Sequence, residues 1–175
     1  MLQTLDFNEN PNVGVFCRAN ENVAFVQKGL PKRTKKKINA ALEVEIVELS
    51  IADASIIGSL LAFNSRGAVV TDFVDEEAFK TIEDQGLNVC VISDKYNAAG
   101  NDILVNDKGA LVHPDMKDDT IREIKEVFRV PVYRGTIGSL KTVGMAAVVT
   151  NKAVSYTHLR AHETSLHLVC RLLLE

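Results

Sequence analysis

The sequence predicts an α/β fold built by repetition: β-β-α-β units of about 44 residues, stacked as a fan with pseudo-rotational symmetry. Three observations carry this. Asn20, Asn64 and Asn106 sit 44 and 42 positions apart, and Thr150 follows 44 positions after Asn106. Gly58, Gly100 and Gly144 keep the same phase, at spacings of 42 and 44. Each stretch between these anchors also has the same order of apolar and polar segments. A unit of this kind cannot bury its apolar face alone and must stack on a neighbour.

Each element follows from local chemistry. In the first unit "GVFCRA" and "VAFV" are apolar strands around the polar turn at Asn20–Asn22. Asn and Gly in such turns accept positive φ at little cost. Pro31 opens a helix whose apolar stripe is Ile38, Ala41 and Leu42, and "VEIVEL" closes the unit. In the second, "SLLAF" and "GAVV" flank a turn. Asp75 caps a helix with Phe79 and Ile82 inward, Gly86 stops it, and "LNVCVI" follows. In the third, "DILV" and "GALV" precede a helix capped by Asp118 or Asp119. Ile121, Ile124, Val127 and Phe128 share one of its faces, and "VPVYR" closes the unit. A fourth unit begins as "GMAAVV" and "TNKAV". The loops between units, "SIADASIIG", "DKYNAAG" and "RGTIGSLKTVG", all contain glycine.

Composition sets outer limits. The 175 residues are 46% hydrophobic and 25% charged, enough for one domain or one compact array with a real core. A net charge of −3 argues against a general nucleic-acid binder, although local basic patches remain open. No apolar run approaches the ~20 residues of a membrane span, and "MLQTLDFNENPN" lacks the pattern of a signal peptide. Cys17, Cys90 and Cys170 are odd in number and scattered, as expected of reduced thiols in a cytosol. No phosphate loop or dinucleotide fingerprint is present, so no cofactor is expected.

The strings "NPNVGVF", "SIADASIIGS", "NDILVNDKGALVHP" and "RGTIGSLKTVG" followed by "TNK" resemble the archaeal-type translation initiation factor 6 family, in register from about Asp6 to Val154. The resemblance implies a pentein-type fan of five units, of which this chain holds about 3.3: residues 1–154, with 155–175 outside the fan. It implies a non-enzymatic, cytoplasmic, monomeric factor with no small-molecule substrate and no membrane association. Such a factor binds the intersubunit face of the large ribosomal subunit, against a basic ribosomal protein near the sarcin–ricin loop with rRNA nearby. It keeps the small subunit from joining and takes part in large-subunit maturation. A modestly acidic protein complements a basic protein surface better than naked rRNA. The family's contacts, carried onto matching positions, fall on Ile57, Gly58 and Ser59, on Asn97, Gly100 and Asn101, and on Lys141 and Thr142. The glycines have a second reading, as permissive backbone that each repeat needs at the same place. Asp53 stands where the family usually has a small glycine, and "YNAAGND" departs from the usual leucine-containing loop.

Three further features compete for attention. Lys32, Arg33, Lys35, Lys36 and Lys37, with Lys28 nearby, form a basic cluster at the start of the first helix. It reads either as a contact to rRNA phosphates or as a solvated helix face. Cations there oppose the helix dipole, so local helix stability does not explain them. His113 before Pro114 reads as a turn residue. No cysteine has catalytic spacing to it, which weakens the alternative of a pentein-fold guanidine-modifying enzyme (deiminase- or amidinotransferase-like), and no catalytic residue is assigned. Finally, His158, His162, His167 and Cys170 have helical spacing that could suit zinc. They fall after Val154, where the repeat stops mid-unit, so 155–175 reads as foreign to the fan and no metal site is assigned.

Overall fold

The computed structural model describes residues 4–7 and 9–156. His158, His162, His167 and Cys170 therefore lie outside the described residues. The chain is a mixed α/β protein of small sheets. Three sheets share one topology, in the orders β1-β2-β3, β4-β5-β6 and β7-β8-β9, and β10-β11 forms a two-stranded fourth. In each, a short lead strand (β1 Cys17–Ala19, β4 Leu61–Phe63, β7 Ile103–Val105, β10 Ala147–Val149) pairs antiparallel with a second strand. The second strands are β2 Val23–Gln27, β5 Gly67–Thr71, β8 Ala110–Val112 and β11 Val154–Tyr156. In the first three units a helix then leads to a third strand parallel to the second. These are α2 Lys32–Leu42 with β3 Glu45–Leu49, α4 Glu76–Glu83 with β6 Asn88–Ile92, and α6 Asp118–Phe128 with β9 Val132–Arg134.

The central strands β2 and β5 are buried along their whole length, because the long helices interleave with the sheets. Val23 and Phe25 of β2 pack with Ala78 and Ile82 of α4 in the next unit, whereas Ala24 and Val26 meet Ile38 of α2 in their own. Val69 of β5 likewise faces Ile124 and Phe128 of α6. A strand covered on both faces must be apolar at every position rather than alternating. Among the described residues Ile38 of α2 packs with apolar residues of its own unit, while Leu42 is 47% exposed. Of the expected stripe Ile38, Ala41 and Leu42, only Ile38 is buried.

Side chains of the repeated asparagines tie the units together. Asn20 Nδ2 donates to Asn64 O, Asn64 Nδ2 to Asn106 O, and Asn106 Nδ2 to Thr150 O, at 3.3, 3.3 and 3.0 Å. Each amide oxygen meanwhile closes its own turn, as Asn64 Oδ1 does by accepting from Arg66 N and Gly67 N. One asparagine thus makes a turn and a unit-to-unit bond at once. At the turn tips a parallel chain of bonds runs from Ser65 N to Asp107, from Asp107 N to Asn151, and from Asn151 N to Glu21 Oε1 at 2.9 Å. That last bond joins the fourth unit to the first.

Two local expectations change. Asp75 caps α4 as expected, its side chain accepting from Ala78 N. Helix α6 instead starts after Lys117, with Asp118 and Asp119 in its first turn, where their charge complements the dipole. The stretches expected as continuous lead strands also begin with one helical turn each: α1 Val13–Phe16, α3 Ile57–Leu60, α5 Ala99–Asp102 and α7 Val143–Ala146.

Candidate functional site

These one-turn helices bring the repeated glycines into one column. A Cβ placed on Gly58 would collide with the carbonyl oxygen of Gly14, one on Gly100 with that of Gly58, and one on Gly144 with that of Gly100. Their backbone is helical, not left-handed, so permissive φ is not why glycine is needed. The need is space: backbone lies against backbone from one unit to the next.

Around the column lies an open depression of about 260 Å³. Equivalent residues of the four units, Val15, Ser59, Asn101 and Met145, form its rim beside the glycines, and Arg18 lines it below. Of the residues expected on a contact face, the structure gathers Gly58, Ser59, Gly100 and Asn101 here. Ile57 is 0% exposed and packs into the core between the first two units, away from the depression. Thr142 precedes α7 and is half-buried. Asn97 and Lys141 lie outside the depression, each tied to an acid of its own unit. Asn97 Nδ2 donates to Asp72 Oδ1 at 2.6 Å, and Lys141 Nζ pairs with Asp115 Oδ2 at 2.6 Å. That pairing raises the Lys141 pKa and lowers that of Asp115.

The loop turns Phe7–Asn10, Ile51–Ala54 and Ile137–Leu140 repeat one geometry. Their third residues Glu9, Asp53 and Ser139 have φ of 67°, 62° and 66°. A left-handed position favours glycine, which gives a backbone reason for the glycine expected at 53 and makes Asp53 a tolerated exception. The basic cluster is a separate surface. Lys32, Arg33, Lys36 and Lys37 are exposed along a groove on α2, whereas Lys35 is taken up by Glu48 at 2.7 Å.

Sequence reasoning missed a polar cluster where the loop that closes the second unit meets the third. Asp94 is buried and accepts from Lys117 N, Tyr96 N and Thr120 Oγ1. Burial alone would raise its pKa, but these bonds together hold it below the usual carboxylate range. His113 is a buried turn residue: its ring stacks on Tyr96 at 3.7 Å and its Nδ1 accepts from Asp115 N. The signal was present, since Asp94 replaces the buried Phe7, Ile51 and Ile137 of the equivalent turns. Among the described residues no group of His, Cys, Asp and Glu could hold a metal. Burial pushes the Cys17 and Cys90 thiols up to about 11, which suits inert core thiols and not nucleophiles. No described helix is long and apolar enough to cross a membrane.

The profile of the eIF-6 family matches residues 2–173. The chain belongs to the eIF-6 family. It is 41% identical over 166 residues to the protein named translation initiation factor 6 of Methanoculleus marisnigri, covering 95% of this chain and 74% of that one. With the Methanosphaerula palustris protein of the same name it shares 40% over 154 residues, 88% of this chain and 69% of that one. These eIF-6 relatives are named for translation initiation, and the family is not one of enzymes. A solved structure, SxtG, an amidinotransferase of the saxitoxin pathway of Microseira wollei, is similar with a TM-score of 0.46 and 16% identity, over 85% of this chain and 47% of that one.

Proposed function

We propose that this protein binds the large ribosomal subunit on its intersubunit face and blocks premature joining of the small subunit, acting in large-subunit maturation and translation initiation. The observation that carries the proposal is membership of the eIF-6 family together with the gathering of Gly58, Ser59, Gly100 and Asn101 on one face. The partner is a basic ribosomal protein near the sarcin–ricin loop, with rRNA close by, and the setting is the cytoplasm. A rigid stack of units supports the role: occlusion needs a stiff body held in place and makes or breaks no bond.

The family membership also supports a pentein-type fan of five units and a monomer. Residues 1–154 are the fan and 155–175 a segment foreign to it. The family match reaches residue 173, so that separation rests on the broken repeat alone. The genomic reading frame after codon 154 tests it: continuation with a further "LVHP"-like unit supports the separation, and an unbroken frame through 175 in related genomes overturns it.

The decisive experiment for function is co-sedimentation with purified archaeal large subunits, followed by a subunit-joining assay. Stoichiometric pelleting and a loss of joined particles are expected. Absence of both ends the proposal.

A further inference from the structure

Arg18 stands at a position where the other units carry Ala62, Leu104 and Val148. Those residues line the inner side of the lead strands, which the repeat otherwise keeps apolar. Arg18 is half-buried and lines both the depression and a neighbouring cavity of about 320 Å³ that shares Gly14, Ala147 and Val148 with it. That cavity is walled by apolar groups such as Phe63, Leu104 and Val149. The one partner of Arg18 among the described residues is the carbonyl of Ile103, accepting from Nη2 at 3.2 Å. Among the described residues no carboxylate lines either cavity.

Two more donors converge on the depression. The side chains of Ser59 and Asn101 are half-buried, and neither has a hydrogen-bond partner among the described residues. At the opposite mouth, a third cavity that shares Phe63 and Val149 with the neighbouring one is lined by Glu21 and Asp107. The path along the lead strands is therefore polarised, cationic at the glycine mouth and anionic at the other. Enclosed charges are normally paired, because removing an ion from water costs several kcal/mol unless a counter-charge compensates. Arginine offers five N–H donors in a planar fork, and among the described residues only the Ile103 carbonyl takes one of them.

We propose that the depression at the glycine column is a binding site for a small oxyanion, phosphate or carboxylate, held by the Arg18 guanidinium with the Ser59 hydroxyl and the Asn101 amide. Burial already draws the Arg18 pKa down to about 10, and a bound anion reverses that pull. The site does not depend on ribosome docking, because the isolated chain carries all three donors.

The test is titration of the whole chain with inorganic phosphate, and separately acetate, at constant ionic strength with chloride as the balancing anion. Binding is read by the ¹⁵N resonance of Arg18 Nε and by thermal shift. Saturable binding is expected for at least one anion, and which of the two binds says whether phosphate or carboxylate is the preferred ligand. Arg18→Gln should weaken it by about tenfold or more, and Ser59→Ala with Asn101→Ala by a similar factor together. Replacing Lys32, Arg33, Lys36 and Lys37 by Gln should leave it unchanged. If Arg18→Gln does not fold, Arg18→Lys, which keeps the charge and loses the fork, takes its place with the same expected weakening. The proposal is overturned if neither anion saturates, if the Arg18 and rim variants titrate like the parent, or if only the α2 variant loses binding. Failure of co-sedimentation leaves it standing.

Discussion

Asp102 occupies the place that the other units give to Phe16, Leu60 and Ala146, and it is 5% exposed. Desolvation raises its pKa, opposed by the nearby His113 and reinforced by Asp94. A carboxyl whose folded pKa lies above its unfolded value contributes stability below the unfolded pKa and loses it as pH rises through the folded one. At neutral pH it is therefore a charge held at a cost. Asp102→Leu should raise the melting temperature at pH 7 and make the loss of stability on acidification toward pH 4 larger than in the parent, because the carboxylates held low by their hydrogen bonds and ion pairs are then no longer opposed by Asp102. An unchanged pH profile in the variant would disprove this account. Arg18 and Asp94 are anomalies of the same kind. All three were readable as departures from the repeat once the units were aligned residue by residue, but their burial was not, because the apolar residues around them come from neighbouring units.

At the scale of elements, the long helices and most strands were legible. Periodicity places Ile82, Ile124 and Phe128 inward, and all three are buried. The one-turn helices α1, α3, α5 and α7 were not legible. Four residues are too few to show a helical period, and a single turn is unstable on its own, since nucleation fixes several dihedrals for one bond. They persist because each is pressed against its counterpart in the next unit, with glycine at the contact. Gly100→Ala drives a methyl into the Gly58 carbonyl, where the opposing group is backbone and cannot swing away. Overpacking of this kind should cost about 3 kcal/mol or more, seen as a lower denaturant midpoint. Gly86→Ala is a poor control, because its φ of 77° adds strain of another origin. Gly14→Ala is a better one, since open space surrounds that position.

For the whole molecule, charge is distributed unevenly. A chain of net charge −3 carries four exposed cations on one groove of α2 with no ion-pair partner among the described residues. If that groove meets rRNA, each neutralised phosphate releases counterions, and large-subunit binding weakens with salt. Replacing Lys32, Arg33, Lys36 and Lys37 by Gln should flatten the plot of log affinity against log salt by about 3 units of slope, at ~0.7–0.9 per phosphate contact. An unchanged slope assigns the groove to solvent. The basic groove and the glycine depression are different surfaces, so the two sets of variants should act independently.

The sequence by itself determined the repeat, its period, the order of strands and helix within a unit, and the family. It could do so because hairpin turns, caps and apolar runs are local, and because the same local solution is written several times. Only the tertiary structure decided what the repeated residues are for. Asn20, Asn64 and Asn106 bond across units, Gly58, Gly100 and Gly144 permit backbone contact, and Arg18, Ser59 and Asn101 converge on one depression. Those relations join residues more than forty positions apart. Distance in the chain says nothing of them until the units are stacked.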